Sequence, residues 1–188
     1  MKKNQNLLTG ILLLMGFAAW TFLIQTVDVQ PIGPNGSSVG FAALNGWFHQ
    51  LTGVHWTLYI LTDWLGLIPI AVCLIFAGAG LVQLVRRKSL FRVDLDILLL
   101  GVYYVLVIFC YLMFEMVPIN YRPVLIDGFL EASYPSSTTL LVLSVMPTLY
   151  FQAQRRLAQN VFRQTICIFS VLFSAFMIIG RLISGVHW

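Results

Sequence analysis

Residues 97–117 read ILLLGVYYVLVIFCYLMFEMV, and residues 120–139, which follow after Pro118 and Ile119, read NYRPVLIDGFLEASYPSSTT. The first run is long enough, at 1.5 Å per residue, for a helix to cross about 30 Å of hydrocarbon, and its sole charge, Glu115, stands near its end. The second is a polar island that contains Arg122 and a Pro135-Ser136-Ser137 run able to open a helix. Working outward, four more apolar segments are expected, over residues 7–27, 57–85, 137–151 and 164–185. The fourth in chain order, 137–151, is short unless its polar opening lies at the interface. The expected fold is all-α, a polytopic bundle of about five membrane spans in one domain, residues 1–188.

Composition agrees with this reading. The chain is 59% hydrophobic and only 10% charged, whereas soluble domains are about 45–50% apolar and about 25% charged. Cys73, Cys110 and Cys167 are odd in number and sit inside apolar runs, so no disulfide framework is implied. The formal net charge of +4 does not point to nucleic acid, because the cations mark the ends of spans rather than one binding face. Residues 7–27 exceed a signal-peptide core of about 7–15 residues and offer no convincing cleavage site, so an uncleaved anchor is expected. Residues 28–56 contain turn formers, Trp47, Trp56 and no Lys or Arg, which suits an extracytoplasmic aromatic loop. Trp20, Trp47, Trp56 and Trp64 fit a headgroup belt.

Lys2, Lys3, Arg86, Arg87, Lys88, Arg92, Arg155, Arg156 and Arg163 fall at alternate span ends and mark the cytoplasmic side, with the N-terminus among them. Arg122 and Arg181 are left on the opposite face, where topology gives no reason for them, and this makes them functional candidates. The island and the end of the last span share that face. Arg122, Ser136, Ser137, Arg181 and His187 are therefore expected to converge at one outer membrane boundary. A helix opening at Ser136 and Ser137 offers unpaired N–H groups and a partial positive charge to an oxyanion, and an arginine adds planar donors. The same Pro-Ser-Ser run can also do no more than cap a helix.

These residues resemble the three signatures of the type-2 phosphatidic acid phosphatase family. Tyr121-Arg122-Pro123 is similar to the Arg-Pro of the first, Tyr134-Pro135-Ser136-Ser137-Thr138 to the Pro-Ser-Gly-His of the second, and Arg181 and His187, with five residues between them, to the Arg and His of the third. The region of resemblance spans residues 115–188 and implies five spans of a six-span fold. It also implies a metal- and cofactor-independent phosphatase in the cell membrane, with its site on the outer face. His187 would attack phosphorus, Arg122 and Arg181 would stabilise the phosphoryl oxygens, and Ser136 and Ser137 would add donors. The substrate would be a membrane lipid phosphate or polyprenyl pyrophosphate, whose tail stays in the bilayer.

The signatures are degenerate. Glu115 stands where the first has a lysine, and Thr138 where the second has the histidine that protonates the leaving group. The family's aspartate that orients the third-signature histidine and its sixth span would follow Trp188, so a truncated or shortened member is expected. The alternative from another class is a catalytically inactive member that holds a phosphate lipid without turnover. A small transporter subunit finds no paired broken helices in its favour. Asp63, within an apolar span, either balances an arginine or is hydrated near the interface. His49 and His55 lack single-face metal spacing and read as interfacial. The repetition of Gly53-Val54-His55-Trp56 as Gly185-Val186-His187-Trp188 reads as coincidence.

Overall fold

The computed structural model describes residues 2–188, with side chains from residue 5 onward; Lys2 and Lys3, which help to orient the N-terminus, are outside the described side chains. The chain is all-helical: α1 (Lys2–Thr26), α2 (Ala42–Thr52), α3 (Trp56–Leu65), α4 (Leu67–Arg87), α5 (Leu95–Met116), α6 (Ser137–Arg156) and α7 (Val161–Ile183). Among the described residues there are no strands, only three isolated antiparallel bridges. Four stretches are long and apolar enough to cross a membrane, namely α1, the α3–α4 pair, α5 and α7. α6 has 20 residues and so runs on to Arg156, beyond the boundary at residue 151 that its apolar run suggests.

Local chemistry explains the breaks. The span expected over residues 57–85 is present as the continuous stretch Trp56–Arg87, with a one-residue break at Gly66, whose N–H turns back to the carbonyls of Thr62 and Asp63 at 3.1 and 3.0 Å. Pro69 is tolerated just beyond because the first turn of a helix leaves its N–H groups unpaired anyway. α4 closes on Lys88 at φ 53, whose N–H reaches Leu84 O at 2.8 Å. α7 opens on Asn160, whose side chain accepts from Arg163 N at 3.0 Å. The segment expected as a plain loop over residues 28–56 contains the eleven-residue α2, with Asp28 Oδ2 accepting from Ala43 N at its start.

α6 is the hub. Val145 packs with Val72, Val93, Ile97, Leu100 and Tyr104 from α4, α5 and the turn between them, while Val142 and Met146 pack with Phe173 and Met177 of α7. Met146 and Met177 are fully buried, and truncating either to Ala is worth about 2–5 kcal/mol. At one end of the bundle Asp94 and Asp96 tie α4, α5 and α6 together. Arg87 and Arg156 reach Asp94 at 2.8 and 3.2 Å, Arg156 reaches Asp96 at 2.7 Å, and Gln83 Nε2 donates to Asp94 at 2.9 Å. α1 lies outside the core, touching it through Phe17 against Phe114 and Tyr134, and Trp20 against Phe41. Its outward leucines would be costly in water but are suited to hydrocarbon.

Candidate functional site

The end of the bundle opposite the Asp94–Asp96 clamp gathers the polar residues. Periodicity aims two of them inward. The buried stripe of α7, Cys167, Ser170, Phe173 and Met177, continues through Gly180 to Arg181, and the stripe of α6 from Val142 and Met146 runs back to Thr138. Gly180 allows α7 to approach α3 closely, since a Cβ there would lie 2.8 Å from Thr62 Cγ2. That approach carries Arg181, 3% exposed, onto Tyr59 of α3.

Arg122 arrives by a device missed in the sequence. Asp127 at φ 49 and Gly128 at φ 84 form a two-residue turn, with Ile126 and Phe129 exchanging N–H···O bonds of 3.0 and 2.8 Å across it. An Asp-Gly pair between apolar runs is the usual sign of such a hairpin. The pairing continues through Arg122 N to Glu131 O at 3.0 Å and Ser133 N to Asn120 O at 2.9 Å. It folds the Arg122 side chain, 7% exposed, back against its own hairpin, with Nε donating to Ala132 O at 3.2 Å and Nη2 at 3.1 Å from Glu131 Oε2.

The two guanidinium groups meet at Tyr59. Arg122 Nη1 donates to the Tyr59 hydroxyl at 3.0 Å and Arg181 Nη1 to its carbonyl at 3.4 Å, and their Cζ atoms stand 5.6 and 4.7 Å from the ring centroid. Such a cation over an aromatic face is worth about 0.5–2 kcal/mol. Arg181 Nη2 also donates to Asp63 Oδ1 at 2.7 Å and to Thr138 Oγ1. Asp63 therefore does balance an arginine, although its side chain remains 58% exposed.

His187 lies beside them, 8% exposed. Its Nδ1 is 3.2 Å from the carbonyl oxygen of Ser133. A carbonyl only accepts, so Nδ1 carries the proton and Nε2 keeps its lone pair. Burial, followed by the charges of Arg122 and Arg181, pushes the imidazole pKa down to about 3, so the ring is neutral near pH 7. Ser133 holds the chain end a second time, its Oγ accepting from Trp188 N at 3.1 Å.

Among the described residues at this end, Arg181 Nε, Ser136 Oγ and His187 Nε2 are buried without a partner within the protein, as are Asn120 Oδ1, His49 Nδ1 and Trp188 Nε1 around them. Buried groups of this kind are nearly always satisfied. Ser136 is the N-cap of α6 yet makes no capping bond, so the helix N-terminus is open as well. From Ser137, Thr138 and Asp63 a cavity of about 480 Å³ continues between α4, α5 and α6 past Leu67, Leu112 and Val145 to Cys73 and Tyr104, with a mostly apolar lining.

The structure thus brings Arg122, Arg181, Ser136, Ser137, Thr138, Asp63 and His187 to one end of the bundle. Glu115 is not among their partners: it is exposed at the end of α5, and Arg122 pairs with Glu131 instead. His55 is exposed, and His49 packs against Trp188 with the rings inclined at 58° and their centroids 5.4 Å apart. Among the described residues no three or more His, Cys, Asp or Glu cluster as metal ligands. The repeated tetrapeptides prove to be in contact. His55 N donates to Ser184 O at 2.9 Å, both glycines have φ +66, and a Cβ on Gly185 would fall 1.8 Å from Gly53 O. Tyr59, Glu131 and Ser133 carried no sequence signal, because each acts through a contact distant along the chain.

Fold and site together define an all-α, multi-pass membrane protein with a buried two-arginine, one-histidine site at one end. No protein-family model, curated protein or solved structure matches the chain.

Proposed function

We propose that this chain is a lipid phosphatase or diphosphatase of the type-2 phosphatidic acid phosphatase kind, acting with a histidine nucleophile at the outer face of the cell membrane. The observation that carries the proposal is the constellation of buried, unpartnered Arg181 Nε, Ser136 Oγ and His187 Nε2. Two hydrogen-bond donors and one lone pair, with two guanidinium groups behind them, are complementary to a phosphoryl group presented to a nucleophile. The Ser133 carbonyl does for Nδ1 what a carboxylate does in other histidine sites: it selects the tautomer that leaves Nε2 free.

In the proposed reaction the Nε2 lone pair forms a bond to phosphorus as the bond from phosphorus to the bridging oxygen breaks. The leaving group departs with that electron pair, and water then cleaves the phosphohistidine. Arg122, Arg181 and the open N-terminus of α6 meet the charge on the equatorial oxygens. The apolar cavity that starts at Thr138 supports a substrate with a hydrocarbon tail. The outer-face assignment is supported by the cations at the other end, Arg86, Arg87, Lys88, Arg92, Arg155, Arg156 and Arg163.

A second reading is favoured by one observation. Thr138 Oγ1 is already engaged by Arg181, and a threonine hydroxyl is no general acid near neutral pH. In that reading the site binds a phosphate lipid and does not turn it over. Phosphate release from a polyprenyl diphosphate by the purified protein in micelles decides between them. The enzyme reading expects release that His187→Ala abolishes, that His55→Ala leaves intact, and that orthovanadate but not a chelator inhibits. Lipid binding without release supports the second reading, and absence of both refutes the site.

A further inference from the structure

Tyr59 holds a place that no part of the proposed chemistry uses. Its hydroxyl accepts from Arg122 Nη1 at 3.0 Å, its carbonyl accepts from Arg181 Nη1 at 3.4 Å, and its ring lies under both guanidinium groups. Two like charges brought to one buried end repel, and each would turn outward if nothing held it. Each arginine also has a carboxylate, Glu131 for Arg122 and Asp63 for Arg181. Those carboxylates sit on different elements and are 37% and 58% exposed, so they anchor the charges separately and fix no distance between them. Among the described residues, Tyr59 alone accepts hydrogen bonds from both. It is also well anchored: it lies on α3, which is locked to α7 by the Gly180–Thr62 approach, and Trp56 packs edge-on against its ring at 5.8 Å.

We propose that Tyr59 is a positioning residue that sets the spacing and orientation of Arg122 and Arg181, so that both guanidinium groups address a single phosphoryl group. This rests on the reading of the site as a phosphate site. Tyr59 acts by two separable routes. The hydroxyl serves Arg122 alone, whereas the backbone carbonyl and the ring serve Arg181, and the ring serves both. Tyr59→Phe therefore releases Arg122 from its hydroxyl anchor and leaves the Arg181 contacts in place, whereas Tyr59→Leu removes the ring from both.

The test is a titration of the purified protein with orthovanadate, read as the rise in thermal midpoint and, where phosphate release is seen, as inhibition. Tyr59→Phe is expected to weaken vanadate binding about three- to tenfold, as for loss of one charge-assisted hydrogen bond behind the site, and Tyr59→Leu by about 10²-fold. The midpoint of Tyr59→Phe without vanadate should stay close to that of the wild type. Positioning, as distinct from packing, is read from double variants. The Tyr59→Phe loss should vanish in an Arg122→Lys background, where the guanidinium it orients is gone, and should persist in an Arg181→Lys background. Equal losses in both backgrounds, or unchanged vanadate affinity in Tyr59→Phe, would overturn the inference while leaving the phosphate site standing. A wild-type protein that does not respond to vanadate would instead refute the phosphate site itself.

Discussion

The neutrality of His187 can be tested through stability, without any assumption about substrate. Its pKa lies at about 3 in the folded protein, chiefly because the ring is buried, against 6.5 for the free side chain. Above pH 6.5 neither the folded nor the unfolded chain binds a proton at this residue, so its contribution does not vary. As pH falls below 6.5 the unfolded chain takes up the proton and the folded one does not, so stability is lost down to about pH 3, where the folded ring also titrates. At about pH 5 the loss is on the order of 2 kcal/mol, from 1.36 kcal/mol for each pH unit. For a chain of this size that corresponds to a fall of about 4–8 °C in thermal midpoint. The assay compares wild type with His187→Asn in the same micelles at about pH 7 and about pH 5. Asparagine can still donate to the Ser133 carbonyl but does not titrate, so the variant should lose several degrees less than the wild type over that interval. Equal losses would refute the reasoning: His187 would then not be held neutral by its surroundings, and a free Nε2 lone pair could not be assigned to it.

The remaining expectations concern leaving group, topology and packing. Because Thr138 cannot protonate a departing alkoxide, whereas a phosphate leaves as a stable anion, an active chain should prefer a lipid diphosphate to phosphatidic acid, and Thr138→His should raise monoester release more than diphosphate release. Equal wild-type rates on the two substrates would sink that argument. Single cysteines placed at 122 and 156 in a cysteine-free background should react oppositely with an impermeant reagent in sealed cells, 122 labelled and 156 protected; the reverse pattern would turn the site to the other face. Gly185→Ala should destabilise by about 2–5 kcal/mol, combining left-handed strain with a Cβ that the Gly53 carbonyl does not admit, whereas Gly78→Ala in α4, with nothing within 4 Å, should be neutral or mildly stabilising in a thermal melt.

Much of this protein is written in runs of neighbouring residues. Hydropathy over twenty or so positions marks a span because a bilayer imposes that length, and so the segments around residues 97–117 and 164–185 are legible without any tertiary information. Arg122 and Arg181 stand out for a similar reason: the positive-inside rule acts on each loop, and a cation that opposes it needs another explanation. Asp127-Gly128 was equally local, and its hairpin could have been read from the turn residues alone. The tertiary structure decided what those cations touch. Tyr59 and Arg122 are 63 positions apart and Asp63 and Arg181 are 118 apart, and no periodicity or composition links residues at such separations. The same holds for the Ser133 carbonyl that orients His187, since every residue type carries a carbonyl and only the fold selects one of them. It holds also for the two Gly-Val-His-Trp repeats, identical as text yet different in surroundings. One histidine is exposed and the other buried, and the close contact of Gly53 with Gly185 is made between backbones, where side-chain identity leaves no trace.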